Sequence, residues 1–95
     1  IHHGGIGTIA ACISAGVPQL IRPMVSDQPD NAARVARLGV GSWLSNARFR
    51  VADVTRALEP LIGDPLVASR CQFYRERMQA TDGLTIAADL IESLA

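Results

Sequence analysis

Apolar residues crowd positions 9–15 and stop at Gly16, so residues 7–15 are expected to form a helix. Val17-Pro18-Gln19-Leu20-Ile21 predicts a short strand whose proline occupies its first positions, where a missing N–H is tolerated; Pro23 ends it. Ser26-Asp27-Gln28-Pro29-Asp30 then supplies capping residues and a first-turn proline ahead of residues 31–38. There Ala33, Val35, Ala36 and Leu38 provide an apolar side and Gly39 closes the helix. Residues 40–44 read as a second strand and residues 45–50 as a polar, arginine-bearing loop. A helix starting near Asp53 carries Val54, Leu58, Leu61 and Ile62 at helical spacing, with Pro60 expected to kink or shorten its end. Gly63-Asp64-Pro65 joins it to a helix marked by Val67, Cys71, Tyr74 and Met78. Leu84, Ala87, Leu90, Ile91 and Leu94 mark a last one after Asp82-Gly83.

Helix, strand, helix, strand and three helices make an α/β chain. It reads as a partial Rossmann-like half of a doubly wound sheet, with parallel strands, flanking helices and a helical tail. Two strands of about five residues do not make an independent parallel sheet. The strand that feeds the first helix is therefore expected ahead of Ile1, and residues 1–95 are read as the carboxy-terminal part of a larger domain. Composition agrees: 48% of the 95 residues are apolar, more than so short a chain buries comfortably, which implies partner surface.

Charge narrows the function. Nine acidic residues balance nine basic ones with no block of either sign, which excludes the footprint of a nucleic-acid binder or a membrane-surface helix. No apolar run reaches the roughly 18 residues of a transmembrane segment, and a soluble cytoplasmic protein is expected. Every basic residue is arginine, so the chain supplies no Walker lysine, Schiff base or lysine general base. Cys12 and Cys71 stand in no CxxC spacing and read as reduced packing thiols.

The chemistry gathers at His2-His3-Gly4-Gly5-Ile6-Gly7-Thr8. Glycines that expose backbone amides at a helix start, backed by the positive end of the helix dipole, form an anion site suited to a phosphate or diphosphate. Residues 5–10 also fit the GxGxxA dinucleotide fingerprint, with Asp27 near the distance of its ribose-binding acid. In that fold, however, the acid ends a strand, whereas Arg22-Pro23 breaks the strand first and Asp27 opens the next helix. The paired histidines also allow a metal reading, against which stands the lack of a Cys or Glu at companion spacing. A turn residue is the plain structural reading of His3, and a helix cap that of Asp27.

Taken together, His-His-Gly-Gly-Ile-Gly-Thr, Ala-Gly-Val-Pro-Gln-Leu-Ile-Arg-Pro, Asp-Gln-Pro-Asp-Asn-Ala and Val-Ala-Arg-Leu-Gly-Val-Gly resemble the donor-binding motif of family-one glycosyltransferases of the GT-B fold. The likeness is greatest to the bacterial enzymes that decorate macrolides and glycopeptides, including the erythromycin-type carboxy-terminal domain. It is specific over residues 1–41 and looser through the closing helices. The resemblance implies that residues 1–95 belong to a nucleotide-sugar donor-binding domain, whose amino-terminal acceptor domain and first strands lie outside the chain.

By the same resemblance, His3, Gly5, Gly7 and Thr8 bind the donor diphosphate and Asp27 and Gln28 hold sugar hydroxyls. His2 and Gly4 are secondary candidates. An acid and an amide suit hydroxyls, since the carboxylate accepts while the amide both donates and accepts. The plant branch has asparagine at Gly7 and a ribose-binding glutamate at Ala11; without that acceptor, dTDP- and UDP-linked donors both fit. The implied reaction is inverting transfer of the sugar to a hydroxyl of a small-molecule acceptor, with no metal or other cofactor and with the general base in the other domain. The fragment alone is then expected to be inactive. A non-catalytic nucleotide-binding or auxiliary domain is the alternative.

Overall fold

The structure, a computed structural model, describes residues 1–80 and Glu92. The helix expected around Leu84 to Leu94 lies outside the described residues.

Helix α1 (Ile6–Ala15) buries Ile9, Ala10 and Ile13 along one stripe. It ends at Gly16 in the left-handed region (φ 71°), where the amides of Gly16 and Val17 return to the carbonyls of Ile13 and Cys12. That closure shortens the strand that follows. Val17 has given its N–H to the helix and Pro18 has none, so β1 is Gln19–Ile21, not the whole of residues 17–21. β2 (Gly41–Trp43) runs parallel to it, with Gln19 beside Gly41 and Ile21 beside Trp43. One further bond at each end, Gln19 N–H to Val40 and Leu44 N–H to Ile21, extends the ladder over the predicted length.

β1 also has a neighbour on its other side. The His2 amide donates to Leu20 and the His2 carbonyl accepts from Arg22, a parallel bridge centred on Ile21. The expectation that the supporting strand lies wholly ahead of Ile1 is corrected here, since one rung of it is His2. Flanked on both sides, all three β1 residues are buried, and β1 becomes the central line of the sheet.

Helix α2 (Gln28–Leu38) begins three residues earlier than expected. Its inner stripe is Asn31, Ala32, Val35 and Leu38, whereas the predicted Ala36 is exposed. α2 packs on β2 so closely that a β-carbon on Gly41 would stand 2.5 Å from the Gln19 carbonyl oxygen and 2.8 Å from Val35 Cγ1. The loop after β2 contains a single 3-10 turn (Asn46–Arg48). It is pinned by Arg22, which donates to the Asn46 side chain and lies over the Phe49 ring at 5.2 Å.

Helix α3 (Val51–Gly63) starts two residues before Asp53 and continues past Pro60, because that proline falls in the last turn. The Pro60 carbonyl still accepts from Asp64. Leu61 is buried, but Ile62, placed in the same predicted stripe, is 79% exposed. Helix α4 (Pro65–Gln79) is capped by the Asp64 carboxylate on the Leu66 amide. Its buried Val67, Cys71 and Met78 and half-buried Tyr74 are the predicted face, which meets α1 and α3. Both cysteines are free, and burial pushes each thiol above its ordinary value. No helix among the described residues is long and apolar enough to cross a membrane.

Candidate functional site

Parallel strands followed by returning helices set the N-termini of α1 and α2 at the same end of the sheet, the carboxyl ends of the strands. The turn from His2 into α1 depends on Gly4. Its φ is 98°, and a β-carbon there would lie 3.0 Å from Ile21 Cγ2 and 3.2 Å from the Gln28 carbonyl oxygen. Backbone conformation and packing both require glycine.

Gly5 and Gly7 differ. Neither has a positive φ, and among the described residues no atom beyond the local backbone lies within 4 Å of where either β-carbon would stand. Gly5 is the extended N-cap of α1, which has no side-chain cap and no acid in its first turn. The leading amides of a helix precede any intrahelical acceptor. The open space over Gly5 and Gly7 therefore leaves donor N–H groups and the positive dipole end accessible. Thr8 is exposed beside them.

The two histidines divide between inside and outside. His2 Nδ1 accepts from the Gly4 amide at 2.9 Å, which leaves the proton on Nε2, and Nε2 donates to Gln19 Oε1 at 2.7 Å. Both ring nitrogens are thus engaged in holding the turn. Burial lowers the His2 pKa from 6.5, a shift partly opposed by the Gln19 hydrogen bond. His3 is exposed, and its ring has no hydrogen-bond partner among the described residues. No group of three His, Cys, Asp or Glu that could hold a metal ion occurs among the described residues.

At the head of α2, Asp27 occupies the N-cap position, yet its carboxylate makes no capping bond and is exposed. The expected side-chain cap is thus not formed, and the Asp27 carbonyl accepts the ordinary first helical bond from the Asn31 amide at 3.0 Å. Gln28 is half-buried, and its Oε1 accepts from the Met24 and Val25 amides at 2.9 and 3.0 Å. Its acceptor is therefore occupied and its NH₂ is the group left to offer. Ser26, at φ 58°, completes the turn in a conformation that non-glycine residues rarely take. The structure brings Gly4 against Gln28, so the glycine turn and the Asp27-Gln28 pair form one surface.

Two buried residues that support this surface escaped the sequence reading. Gln19, 1% exposed, links the His2 ring to α1 by donating to the Ile9 carbonyl at 3.4 Å. Asn31, 5% exposed, donates from Nδ2 to the Gly4 carbonyl at 3.0 Å. Each carried a signal, since Gln19 is the polar member of an apolar strand and Asn31 takes a core position of α2.

Residues 1–93 match the family model described as erythromycin biosynthesis protein CIII-like, C-terminal domain. The chain is 35% identical to O-mycaminosyltylonolide 6-deoxyallosyltransferase of Streptomyces fradiae, with 100% of the chain and 23% of that protein covered. It is 36% identical to glycosyltransferase GtfE of Amycolatopsis orientalis, covering 96% of the chain and 22% of the relative. Among solved structures it is similar to the glycotransferase of kitacinnamycin, with a TM-score of 0.78 and 37% identity over 96% of this chain and 24% of that one. The chain thus spans about a quarter or less of each of these three proteins.

Proposed function

Because the chain belongs to the erythromycin biosynthesis protein CIII-like C-terminal domain family of macrolide and glycopeptide glycosyltransferases, we propose that its glycine turn seats the diphosphate of a dTDP- or UDP-linked sugar in an inverting transfer. The observation that carries this reading is the open start of α1, with no side-chain cap, no first-turn acid and, among the described residues, nothing over Gly5 and Gly7. The amides beside Gly5 and Gly7, the Thr8 amide and hydroxyl, and the exposed His3 ring are the diphosphate donors. Asp27 and the Gln28 NH₂ hold sugar hydroxyls.

In such a transfer a base in the acceptor domain takes the proton of the acceptor hydroxyl. The freed oxygen bonds to the anomeric carbon from the face opposite the diphosphate. The carbon–oxygen bond to the phosphate breaks, and its electron pair leaves with the phosphate oxygen. Charge therefore grows on the diphosphate as the bond breaks, and donors already aimed at it stabilise the transition state more than the ground state. Residues 1–95 alone bind the donor without transferring the sugar.

A dinucleotide reading is weaker at Asp27, which opens α2 and stands beyond the end of β1 at Ile21. Calorimetric titration with UDP, dTDP and NAD separates the two. Diphosphate binding that His3→Ala weakens supports the donor site, and a preference for NAD overturns it. In the complete enzyme, His3→Ala is expected to lower turnover about ten to a thousandfold, the range for one lost oxyanion-type donor. Binding without any sugar transfer by the complete protein would favour an auxiliary nucleotide-binding domain.

A further inference from the structure

Gln19 and Asn31 are the buried polar residues among those described, and their hydrogen bonds converge on a single residue. Asn31 donates to the Gly4 carbonyl, while Gln19 accepts from the His2 ring, which in turn accepts from the Gly4 amide. Gly4 is thereby gripped at both its N–H and its C=O, one grip from the β1 side and one from α2.

Packing alone does not call for this. Asn31 shares a stripe with Ala32, Val35 and Leu38, where an apolar side chain would avoid desolvating an amide and would favour the helix slightly more. Glycine, in turn, has a wider conformational range than any other residue type, so the Gly4 peptide is a soft link between the sheet and α1. Fixing both polar groups of Gly4 restricts that freedom and sets where the next amides stand. Asn31 also lies one turn below Asp27 and Gln28, so the same residue joins the two halves of the surface.

We propose that Asn31, with the His2–Gln19 pair opposite it, is a positioning residue of the donor site: it holds the Gly4 peptide so that the amides from Gly5 to Thr8 are preorganised for the diphosphate. The proposal rests on the donor-site reading for its ligand. A position lost by a fraction of an ångström weakens several hydrogen bonds at once, since each depends steeply on distance and angle.

Asn31→Asp tests it, because the variant keeps the shape but turns an acceptor toward the Gly4 carbonyl. With the carboxyl ionised, Kd for UDP and dTDP is expected to rise about tenfold over wild type, equivalent to about 1.4 kcal/mol. As pH is lowered from about 9 to about 5 the introduced carboxyl takes up a proton, above its ordinary value because it is buried, and again has a hydrogen to donate to Gly4. The variant-to-wild-type ratio should then return toward one. Lost packing would not recover with acid, and the neighbouring ionisable groups, His2, His3, Asp27 and Asp30, are common to both proteins, so the ratio isolates the new group.

A folded variant whose ratio stays near one at every pH, or stays raised without recovery, overturns the proposal. Amide signals of Gly4 to Thr8, read by NMR without ligand, provide the second measurement. They should shift and exchange faster while those of Val35 and Leu38 hold. If the wild type binds neither diphosphate, the donor-site reading fails by itself, and unchanged Gly4 to Thr8 signals in the variant then overturn the positioning role independently. Should the buried carboxylate prevent folding, Asn31→Ala, which buries no charge, is judged on the same signals and on binding.

Discussion

Replacing Gly7 by alanine should strengthen the fold and weaken the site. Gly7 is the second residue of α1, its φ is negative, and among the described residues nothing beyond the local backbone lies within 4 Å of the new β-carbon. The protein therefore gains the helix preference of alanine over glycine, about 0.5–1 kcal/mol, largely through a less free unfolded chain. For a chain of this size each kilocalorie moves the melting temperature by about 4–8 °C, so a rise of roughly 2–8 °C is expected. The methyl group occupies the open space through which a phosphate oxygen must approach the leading amides. Loss of one hydrogen bond to a charged oxygen costs about 1.5–3 kcal/mol, or about ten to a hundredfold and more in Kd. Gly4→Ala is the contrasting control. With φ 98° and Ile21 Cγ2 at 3.0 Å, it should destabilise by about 1–3 kcal/mol. Thermal melts alongside calorimetry with UDP and dTDP read both quantities. A Gly7→Ala protein that melts higher and binds as tightly as wild type would refute the idea that the open face of α1 seats the diphosphate.

Two further outcomes follow from the same geometry. In the fold, His2 resists protonation, being buried and using Nδ1 as an acceptor, whereas in the unfolded chain it takes a proton below about 6.5. Stability contributed by neutral His2 is full above that value and declines as pH falls below it toward the lowered folded pKa; urea titrations between about pH 7 and pH 5 should show this slope, and His2→Asn should flatten it. Gly41→Ala places a methyl 2.5 Å from the Gln19 carbonyl oxygen and 2.8 Å from Val35, so α2 and β2 must part, at a cost of about 1–3 kcal/mol; an unchanged urea midpoint would contradict that packing.

The sequence was most informative where local chemistry decides the outcome. Gly16 and Gly39 end their helices in the left-handed region, as their positions announce. The four-three-four spacing of α4 found its buried face because one side of that helix meets α1 and α3. Tertiary geometry decided the rest. Ala36 and Ile62 are apolar at helical spacing yet exposed, since spacing states that a face exists and the neighbouring element chooses which one is covered. His2 and His3 are alike as letters, and only the pairing of His2 with Ile21 turns one ring into the fold and leaves the other outside. Asn31 was read as a helix opener because α2 was placed to start there. The helix in fact starts at Gln28, which puts Asn31 one turn inside and makes it a core residue.

The arginines of α4 show how the ends of this sheet come to differ. Arg70 and Arg75 are exposed. Their positions are nonetheless specific. Arg75 lays its Cδ 2.8 Å from where a β-carbon on Gly16 would be, and Arg70 lays Cδ, Nε and Nη1 within 2.5, 2.9 and 3.1 Å of the same point on Gly39. Those glycines are the C-caps of α1 and α2. One end of the layer therefore sets cationic side chains over the negative ends of two helix dipoles, worth a few tenths of a kilocalorie each at exposed positions. At the other end α3 carries Asp53 and α2 carries Asp30 in its first turn, while α1 has neither a side-chain cap nor an acid. Among the described residues the start of α1 at the Gly5 turn is thus left without a side-chain partner for its positive end, and the proposed diphosphate would supply there what an acid supplies at α2 and α3.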